Sequence, residues 1–300
     1  MAERICVIVN PAAGRGRGAR MLPEIISRFG ERSVTDIRTS GAKGDEARIA
    51  EGAIAEGFTT LVAVGGDGTT SNVANAIVRS GKDVRLAVMP AGTGNDFAKL
   101  LGTATVDVAT VARLCAEPST NRIDVGRVED VYFLNSCGFG FDVAVLEGIA
   151  SNSWLRGSSV YVYAALTNLF TFRGISIGVR STASVREPQL HMLLVLANAS
   201  RFGGTFEIAP GASATDGLLD AVSILDVSPM KRIAILAAAV RGRHETYREC
   251  VRESAREFEV SFAAAPVYET DGEMHRARSA ILTVTSCQAA LRVVTCPSTH

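Results

Sequence analysis

The chain has no surplus of either charge, with 31 Lys and Arg set against 31 Asp and Glu. Nucleic-acid binders carry a basic excess that neutralises phosphates, so the balance argues against nucleic acid as the main partner. It has no Cys-x-x-Cys pair. The six cysteines (Cys6, Cys115, Cys137, Cys250, Cys287 and Cys296) are scattered, several within apolar runs where a thiol packs as a small hydrophobe. Reduced, cytosolic cysteines are the expectation. The histidines His191, His244, His275 and His300 show no metal-ligand spacing. No apolar run approaches the roughly 20 residues of a membrane span. The apolar stretch in the opening MAERICVIVNP is too short for a signal peptide. The sequence therefore predicts a soluble, cytoplasmic protein. There is no internal repeat, no low-complexity segment and no Walker GxxxxGK[ST] motif. GRGRG after the first strand comes close to a dinucleotide fingerprint, but no acid follows at the ribose position about 20 residues on.

What is present is a globular composition, 47% apolar and 21% charged over 300 residues, enough for one large domain or two ordinary ones. Strand and helix signals alternate at first. Apolar runs at Ile5–Val9, Leu61–Val64 and Val84–Met89, and a weaker strand signal at Val34–Arg38, read as strands. Helical spacing follows through Met21, Leu22, Ile25 and Ile26, from Asp45 to about Glu56, from Thr69 to Val78, at Phe97–Leu101 and over Asp107–Cys115. This alternation predicts an α/β domain with a doubly wound parallel sheet over residues 1–122. Near Pro118 the rhythm changes. IDVGRV, VYFLNSCGFG, QLHMLLVLANAS, GLLDAVSIL, FEVSFA, PVYET and AILTVTS read as successive strands, interrupted by helices at Gly157–Phe172 and Met230–Val240. Residues 123–300 are expected to form a β-rich antiparallel sandwich with inserted helices, the last residues returning to the first domain. Gly157–Phe172 lacks charge and lies between Arg156 and Arg173, which suits either a bilayer surface or a core helix.

Three glycine-bearing loops follow strands: residues 10–18, 65–69 and 90–95. In a parallel sheet they share the carboxyl edge, where ligands bind. Their free N–H groups, hydroxyls and amides suit a triphosphate better than a dinucleotide. Asp67 stands bare among Gly65, Gly66 and Gly68. An acid beside an anion site is useful only through a metal or a transferable proton.

These residues resemble the diacylglycerol kinase catalytic family, which includes sphingosine, ceramide and bacterial lipid kinases. The likeness runs through NP at 10–11, GGDGT at 65–69, PAGTGNDFAKLLG at 90–102, YFLNSCGFGFDVAV at 132–145, LANAS with GG at 196–204, APGASATDGLLD at 209–220 and TDGE at 270–273. GGDGT alone also occurs in NAD kinases and phosphofructokinases; GTGND, DGLLD and DGE decide the choice. The resemblance implies ATP- and Mg2+-dependent phosphorylation of a lipid hydroxyl such as that of diacylglycerol, in a cleft between a nucleotide domain and a lipid domain. The partners it implies are ATP, a lipid alcohol and, transiently, a membrane surface; a homodimer is left open. It makes Asn10, Gly65, Gly66, Asp67, Gly68, Thr69, Thr70, Ser71 and Thr93 similar to nucleotide contacts, with Thr39 or Ser40 as another. It makes Asp216 similar to a magnesium ligand, with backbone oxygens near Ser213 and Leu218 completing the shell, and oxygen-only donors suit a hard cation.

Phosphoryl transfer needs charge stabilisation, alignment and a group that receives the hydroxyl proton. Asp271 and Glu273 flank a glycine after a strand-like run. Glu273 is expected to be the base, the role that the family assigns to DGE, and Asp271 to orient it or hold a metal. Asp67 is expected to act through magnesium or the acceptor hydroxyl. Arg15 and Arg17 are either phosphate forks or solvated loop charges. Asp124 supports a hinge or caps, and Asp220 is expected to buttress the Asp216 loop. One departure stands out. After GGDGT the family continues with a hydrophobic residue and Asn-Glu, whereas this chain has Thr70, Ser71 and Asn72. Two alternatives to a lipid kinase stand beside it: an NAD-kinase-like nucleotide kinase, which the shared GGDGT loop suggests and GTGND speaks against, and a catalytically silent nucleotide- or lipid-binding regulator, which the missing acid favours.

Overall fold

The computed structural model describes residues 3–117, 119–151 and 167–296. They form two compact units: the chain up to Val125 together with the segment from Gln288 onward, and Gly126–Cys287.

In the first unit strands and helices alternate: β1 (Ile5–Val9), α1 (Ala13–Gly30), β2 (Ile37–Thr39), α2 (Asp45–Ala55), β3 (Thr60–Gly65), α3 (Asp67–Ser80), β4 (Arg85–Pro90), α4 (Asp96–Leu100) and α5 (Val108–Ala116). The sheet runs β2–β1–β3–β4, every pair parallel. Arg292 and Val293 extend it by pairing in parallel with Arg85 and Leu86. Successive strand side chains point to opposite faces, so a two-faced sheet needs apolar residues at every position. Val7, Val9, Val62, Val64 and Met89 form one core with Ile25 and Phe29 of α1 and Val111 of α5. The alternate residues Cys6, Ile8, Leu61 and Ala63 are equally buried. The doubly wound α/β fold is the expected one.

The second strand is shorter than its apolar pattern. Val34 belongs instead to the end of α1: its N–H donates to the Phe29 carbonyl at 3.0 Å, beside Ser33 in the left-handed region at φ 60°. Closing the helix takes the N–H that a strand would have used.

The chain then adds β5 (Thr120–Val128), β6 (Val131–Phe133), β7 (Ser136–Gly140), α6 (Phe141–Ser151), β8 (Ile175–Arg180), β9 (Val185–Ala197), β10 (Leu219–Leu225), α7 (Pro229–Ala239), β11 (Cys250–Ala255), β12 (Glu257–Phe262), β13 (Val267–Thr270), β14 (Glu273–Arg276) and β15 (Ile281–Val294). In the second unit the pairs β14–β13–β7–β9–β8–β12–β15 are antiparallel, and β10 joins β9 to β11. The two faces of β9 serve different cores. Leu194 and Leu196 pack with Phe139, Phe258 and Tyr268. Leu193, Val195 and Ala197 pack with Phe141 and with Ile235 and Ala239 of α7. This is the expected antiparallel β-rich architecture carrying helices.

Several details depart from the sequence pattern. VYFLNSCGFG is two strands, because the N–H groups of Leu134 and Asn135 donate to the Asp271 carboxylate rather than to a neighbouring strand. β8, β11 and β14 have no counterpart among the expected strands. β15 runs on past Ser286 to Val294. Of the helix expected over Gly157–Phe172, residues 157–166 lie outside the described residues, and 167–171 are helical. Among the described residues no helix is long and apolar enough to cross a membrane. All six cysteines are free.

Candidate active site

The three glycine-bearing loops of the first unit meet one another. Asn10 ends β1, donates its amide to Thr69 Oγ1 at 3.0 Å and accepts the Ala12 N–H at 3.0 Å. Gly14, Arg15 and Gly16 then pass through the left-handed region at φ 55°, 57° and 84°. A Cβ on Gly14 would sit 2.0 Å from the Ala91 carbonyl oxygen. Gly66 and Gly92 touch backbone to backbone, since a Cβ on Gly92 would lie 2.4 Å from Gly66 Cα. No larger residue permits that approach. The convergence leaves the N-terminus of α3, which begins at Asp67, at the loops' meeting point.

Asp67 Oδ2 accepts the Asn95 N–H at 2.7 Å and Oδ1 the Phe97 N–H at 3.3 Å. Its carboxylate therefore ties the 65–69 loop to the start of α4. Burial, then neighbouring Asp96, pushes its pKa up, against the opposing pull of these N–H groups. Asn95, left-handed at φ 55°, closes the third loop by exchanging bonds with Gly92 at 3.0 and 2.9 Å. Thr93 is exposed on the same loop. Thr69, Thr70 and Ser71 are buried in the first turn of α3, and Thr70 Oγ1 donates to the Gly66 carbonyl at 3.2 Å.

Thr39 and Ser40 are separated by environment. Ser40 is buried and its hydroxyl donates to Glu46 Oε1 at 3.0 Å, whereas Thr39 is exposed at the end of β2. Glu46 is a residue that sequence reasoning missed. Its other oxygen accepts the Gly44 N–H at 3.1 Å and the Asn72 amide at 3.4 Å. The residue replacing the family's acid is thus bonded to an acid from α2. Helical spacing held the signal: Glu46 falls in line with the buried Ile49, Ala50 and Ala53.

In the second unit the TDGE segment is a tight turn between β13 and β14. Asp271, left-handed at φ 49°, accepts the N–H groups of Leu134 and Asn135 at 2.8 Å each and of Ser136 at 3.3 Å. That carboxylate positions the β6–β7 turn. Glu273 is half-buried at the start of β14 and pairs across the ladder with Thr270. His275, two residues on, bonds Thr270 Oγ1 at 2.8 Å and stacks on Tyr268 at 5.2 Å between ring centroids. Burial lowers the His275 pKa, while Glu273 and Glu129 pull it the other way.

Ser213, Asp216 and Leu218 share one loop before β10. Asp216 is exposed and its Oδ1 accepts the Leu218 N–H at 2.9 Å; Ser213 Oγ lies 3.1 Å from Thr215 Oγ1. The donors are oxygens, which fits a hard cation. Among the described residues no group of three or more His, Cys, Asp and Glu is placed to hold a metal. Asp220 reaches this segment through Arg252, whose guanidinium lies against Gly211. It points across the sheet to β11, where it accepts Arg252 Nε at 2.9 Å and the Ser254 hydroxyl. The reason is register: Asp220 and Ser254 are paired on adjacent strands. Asp124 accepts the Ala289 N–H at 2.7 Å.

Asp142 and Glu269 are further acids that the sequence reading passed over. Both are buried, and among the described residues both Asp142 oxygens and Glu269 Oε1 have no side-chain hydrogen-bond partner. Burial pushes Asp142 up to about 7; burial and then Asp142 push Glu269 well up. The clue was a lone charge inside the apolar GFGFDVAV.

An α/β unit with glycine loops at the carboxyl edge of its sheet, followed by an antiparallel β unit bearing an acidic turn, is the build of a two-part phosphotransferase. Comparison with known proteins agrees. Residues 4–128 match the diacylglycerol kinase catalytic domain, and residues 135–295 match the YegS C-terminal NAD kinase beta sandwich-like domain. A Pseudomonas aeruginosa protein named "Probable lipid kinase YegS-like" is 33% identical over 86% of this chain and 83% of its own length. The diacylglycerol kinase of Bacillus subtilis is 26% identical over 90% of each chain. A crystal structure of a diacylglycerol kinase from Bacillus anthracis superposes with a TM-score of 0.77 at 20% identity, covering 98% of both chains, and shows the same fold. The chain belongs to the lipid kinase family defined by these two domains, phosphotransferases with an alcohol acceptor.

Proposed function

We propose that this protein is an ATP- and Mg2+-dependent kinase that transfers the γ-phosphoryl group to the hydroxyl of a lipid alcohol such as diacylglycerol. The observation that carries the reading is the backbone contact of Gly66 with Gly92, braced by the Asn10–Thr69 bond, which clears a side-chain-free edge at the N-terminus of α3. Such an edge offers N–H groups to phosphate oxygens, and the helix dipole adds to the attraction. Asn10, Gly65–Ser71 and Thr93 line the nucleotide, and exposed Thr39 contacts it, while Ser40 serves Glu46. Glu273 takes the proton of the acceptor hydroxyl, the task of the base in phosphoryl transfer. Asp271 acts at one remove by fixing the turn that presents Glu273. Asp67 holds the 65–69 and 90–95 loops together and acts through magnesium or the acceptor hydroxyl. Asp216, with backbone oxygens near Ser213 and Leu218, would hold magnesium, which when bound neutralises charge and orders its surroundings.

The names of the relatives support a lipid as acceptor. On this reading the protein is cytoplasmic and visits the membrane surface, where its lipid resides. The silent-regulator reading rested on the absent acid at position 72. It is weakened by Glu46, whose carboxylate meets Asn72 from α2.

The test is phosphorylation of a panel of lipid alcohols by purified protein with Mg2+ and γ-labelled ATP. A labelled phospholipid, lost in Glu273→Ala, supports the reading. ATP binding without transfer to any lipid would leave the regulator, and NAD-dependent ATP consumption would favour the nucleotide kinase.

A further inference from the structure

Helix α7 (Pro229–Ala239) has two unlike faces. Arg232, Ile235 and Ala239 are buried against the β9 core. The opposite face carries Met230, Ile233, Ala234 and Ala237, continued by Val240 just past the helix, all exposed and all apolar. Their spacing of three and four residues makes one continuous stripe. Met230 is 72% exposed, Ile233 37% and Val240 43%. A surface helix ordinarily turns polar residues to water, so this stripe calls for a partner.

The charges around the stripe say which. Arg241 and Arg243 follow it directly, both exposed, and among the described residues neither makes an ion pair. Three of the nearby acids are engaged, Asp226 with Arg232 at 2.6 Å, Glu249 with Lys231 at 2.8 Å and Arg248 at 2.7 Å, and Glu245 with Arg252 at 3.6 Å, while the half-buried Glu207 carboxylate lies beside Gly242 and leaves the pair of arginines in net positive excess. Arg232 also ties α7 to the helical residues 167–171 by donating to the carbonyls of Leu169 and Phe172 at 2.8 Å each. There Phe170 is exposed, followed by exposed Arg173. The outer face of α7 thus combines an apolar stripe with two exposed arginines that make no ion pair among the described residues.

We propose that the outer face of α7 docks on an anionic lipid bilayer, its apolar side chains entering the headgroup–acyl boundary while Arg241 and Arg243 meet lipid phosphates. The inference rests on the lipid-kinase reading for the choice of lipid as partner; the surface itself is argued from α7. A second copy would set its own Arg241 and Arg243 against these two, with one half-buried Glu207 per copy beside them, so self-association fits less well.

The experiment uses the full chain and two kinds of vesicle, phosphatidylcholine alone and an equal mixture with phosphatidylglycerol. Sedimentation with the mixed vesicles is expected, weakened by high salt. The double variant Met230→Asp, Ile233→Asp should bind about tenfold more weakly or worse, since each side chain loses its burial in the bilayer. Arg241→Glu with Arg243→Glu should lose about tenfold on the mixed vesicles and little on phosphatidylcholine. An unchanged melting temperature shows that the variants fold. Phosphorylation of a short-chain, water-soluble lipid alcohol should be unaffected in both variants. Should the wild type phosphorylate nothing, the kinase reading fails on its own while vesicle binding still decides the surface. Wild-type protein that ignores the mixed vesicles, or a Met230→Asp, Ile233→Asp variant that binds them as before, overturns the proposal. So does a dimer in light scattering that this variant breaks while vesicle binding persists.

Discussion

The carboxylates of Asp142 and Glu269 converge on one buried space beside Gly138: a Cβ on that glycine would lie 1.7 Å from Asp142 Oδ2 and 2.8 Å from Glu269 Oε1. Two acids so close, with no basic side chain bonded to either among the described residues, cannot both be ionised at low cost. They keep their protons to a higher pH than free carboxylates do.

Stability should therefore fall as pH rises. A carboxyl whose folded pKa is raised contributes stability that is complete below its ordinary value of 3.8 and lost as pH climbs through its folded value of about 7. Asp142→Asn removes that titration. The variant should melt higher than wild type, with the gap wider at pH 8 than at pH 5, as read by thermal denaturation at both. A gap that is constant with pH would contradict the buried-acid account.

Asp271→Ala should be severely destabilising without emptying any apolar core. It strips the acceptor from the N–H groups of Leu134, Asn135 and Ser136. At about 1–3 kcal/mol for each buried group left unsatisfied, a loss of roughly 3 kcal/mol is expected. Denaturant titration measures it.

Gly92→Ala tests the loop contact. Its Cβ would fall 2.4 Å from Gly66 Cα, backbone that has no rotamer to yield. A cost of about 1–3 kcal/mol is expected from overpacking, together with weaker ATP binding by calorimetry. Gly81→Ala is the contrast. That residue is left-handed at φ 64° with open space around it, so it should lose stability alone.

Thr39 and Ser40 should separate in kinetics. Thr39→Ala is expected to raise the KM for ATP severalfold with an unchanged melting temperature. Ser40→Ala should cost about 1 kcal/mol by removing the donor to buried Glu46, with a smaller change in KM. Steady-state assays with thermal melts distinguish the two.

Much of the fold was legible locally. The unbroken apolar runs at Ile5–Val9 and Leu61–Val64 marked strands covered on both faces, because a parallel sheet allows no polar side. What misled were segments whose backbone groups are claimed from far along the chain. Val34 looked like a strand residue, but its N–H closes α1. Leu134 and Asn135 looked like mid-strand residues, but their N–H groups belong to Asp271, more than a hundred residues away. Asp220 sat near Asp216 in sequence yet answers to Arg252 through the strand register.

Residue order carried the fold class of this protein, and the resemblance of its ordered motifs to the diacylglycerol kinase family carried its function class. Glycine loops after apolar strands, and an acid placed among glycines, follow from backbone sterics and local charge and need no distant contact to be read. Only the tertiary structure decided which polar groups remain for chemistry, because that depends on partners remote in sequence. It buried Ser40 on Glu46 and left Thr39 exposed, spent Asp271 on three backbone N–H groups, and brought Asp142 and Glu269 together over Gly138. A carboxylate reads the same in any sequence; desolvation and hydrogen bonding, which exist only once the chain has folded, set its charge and its use.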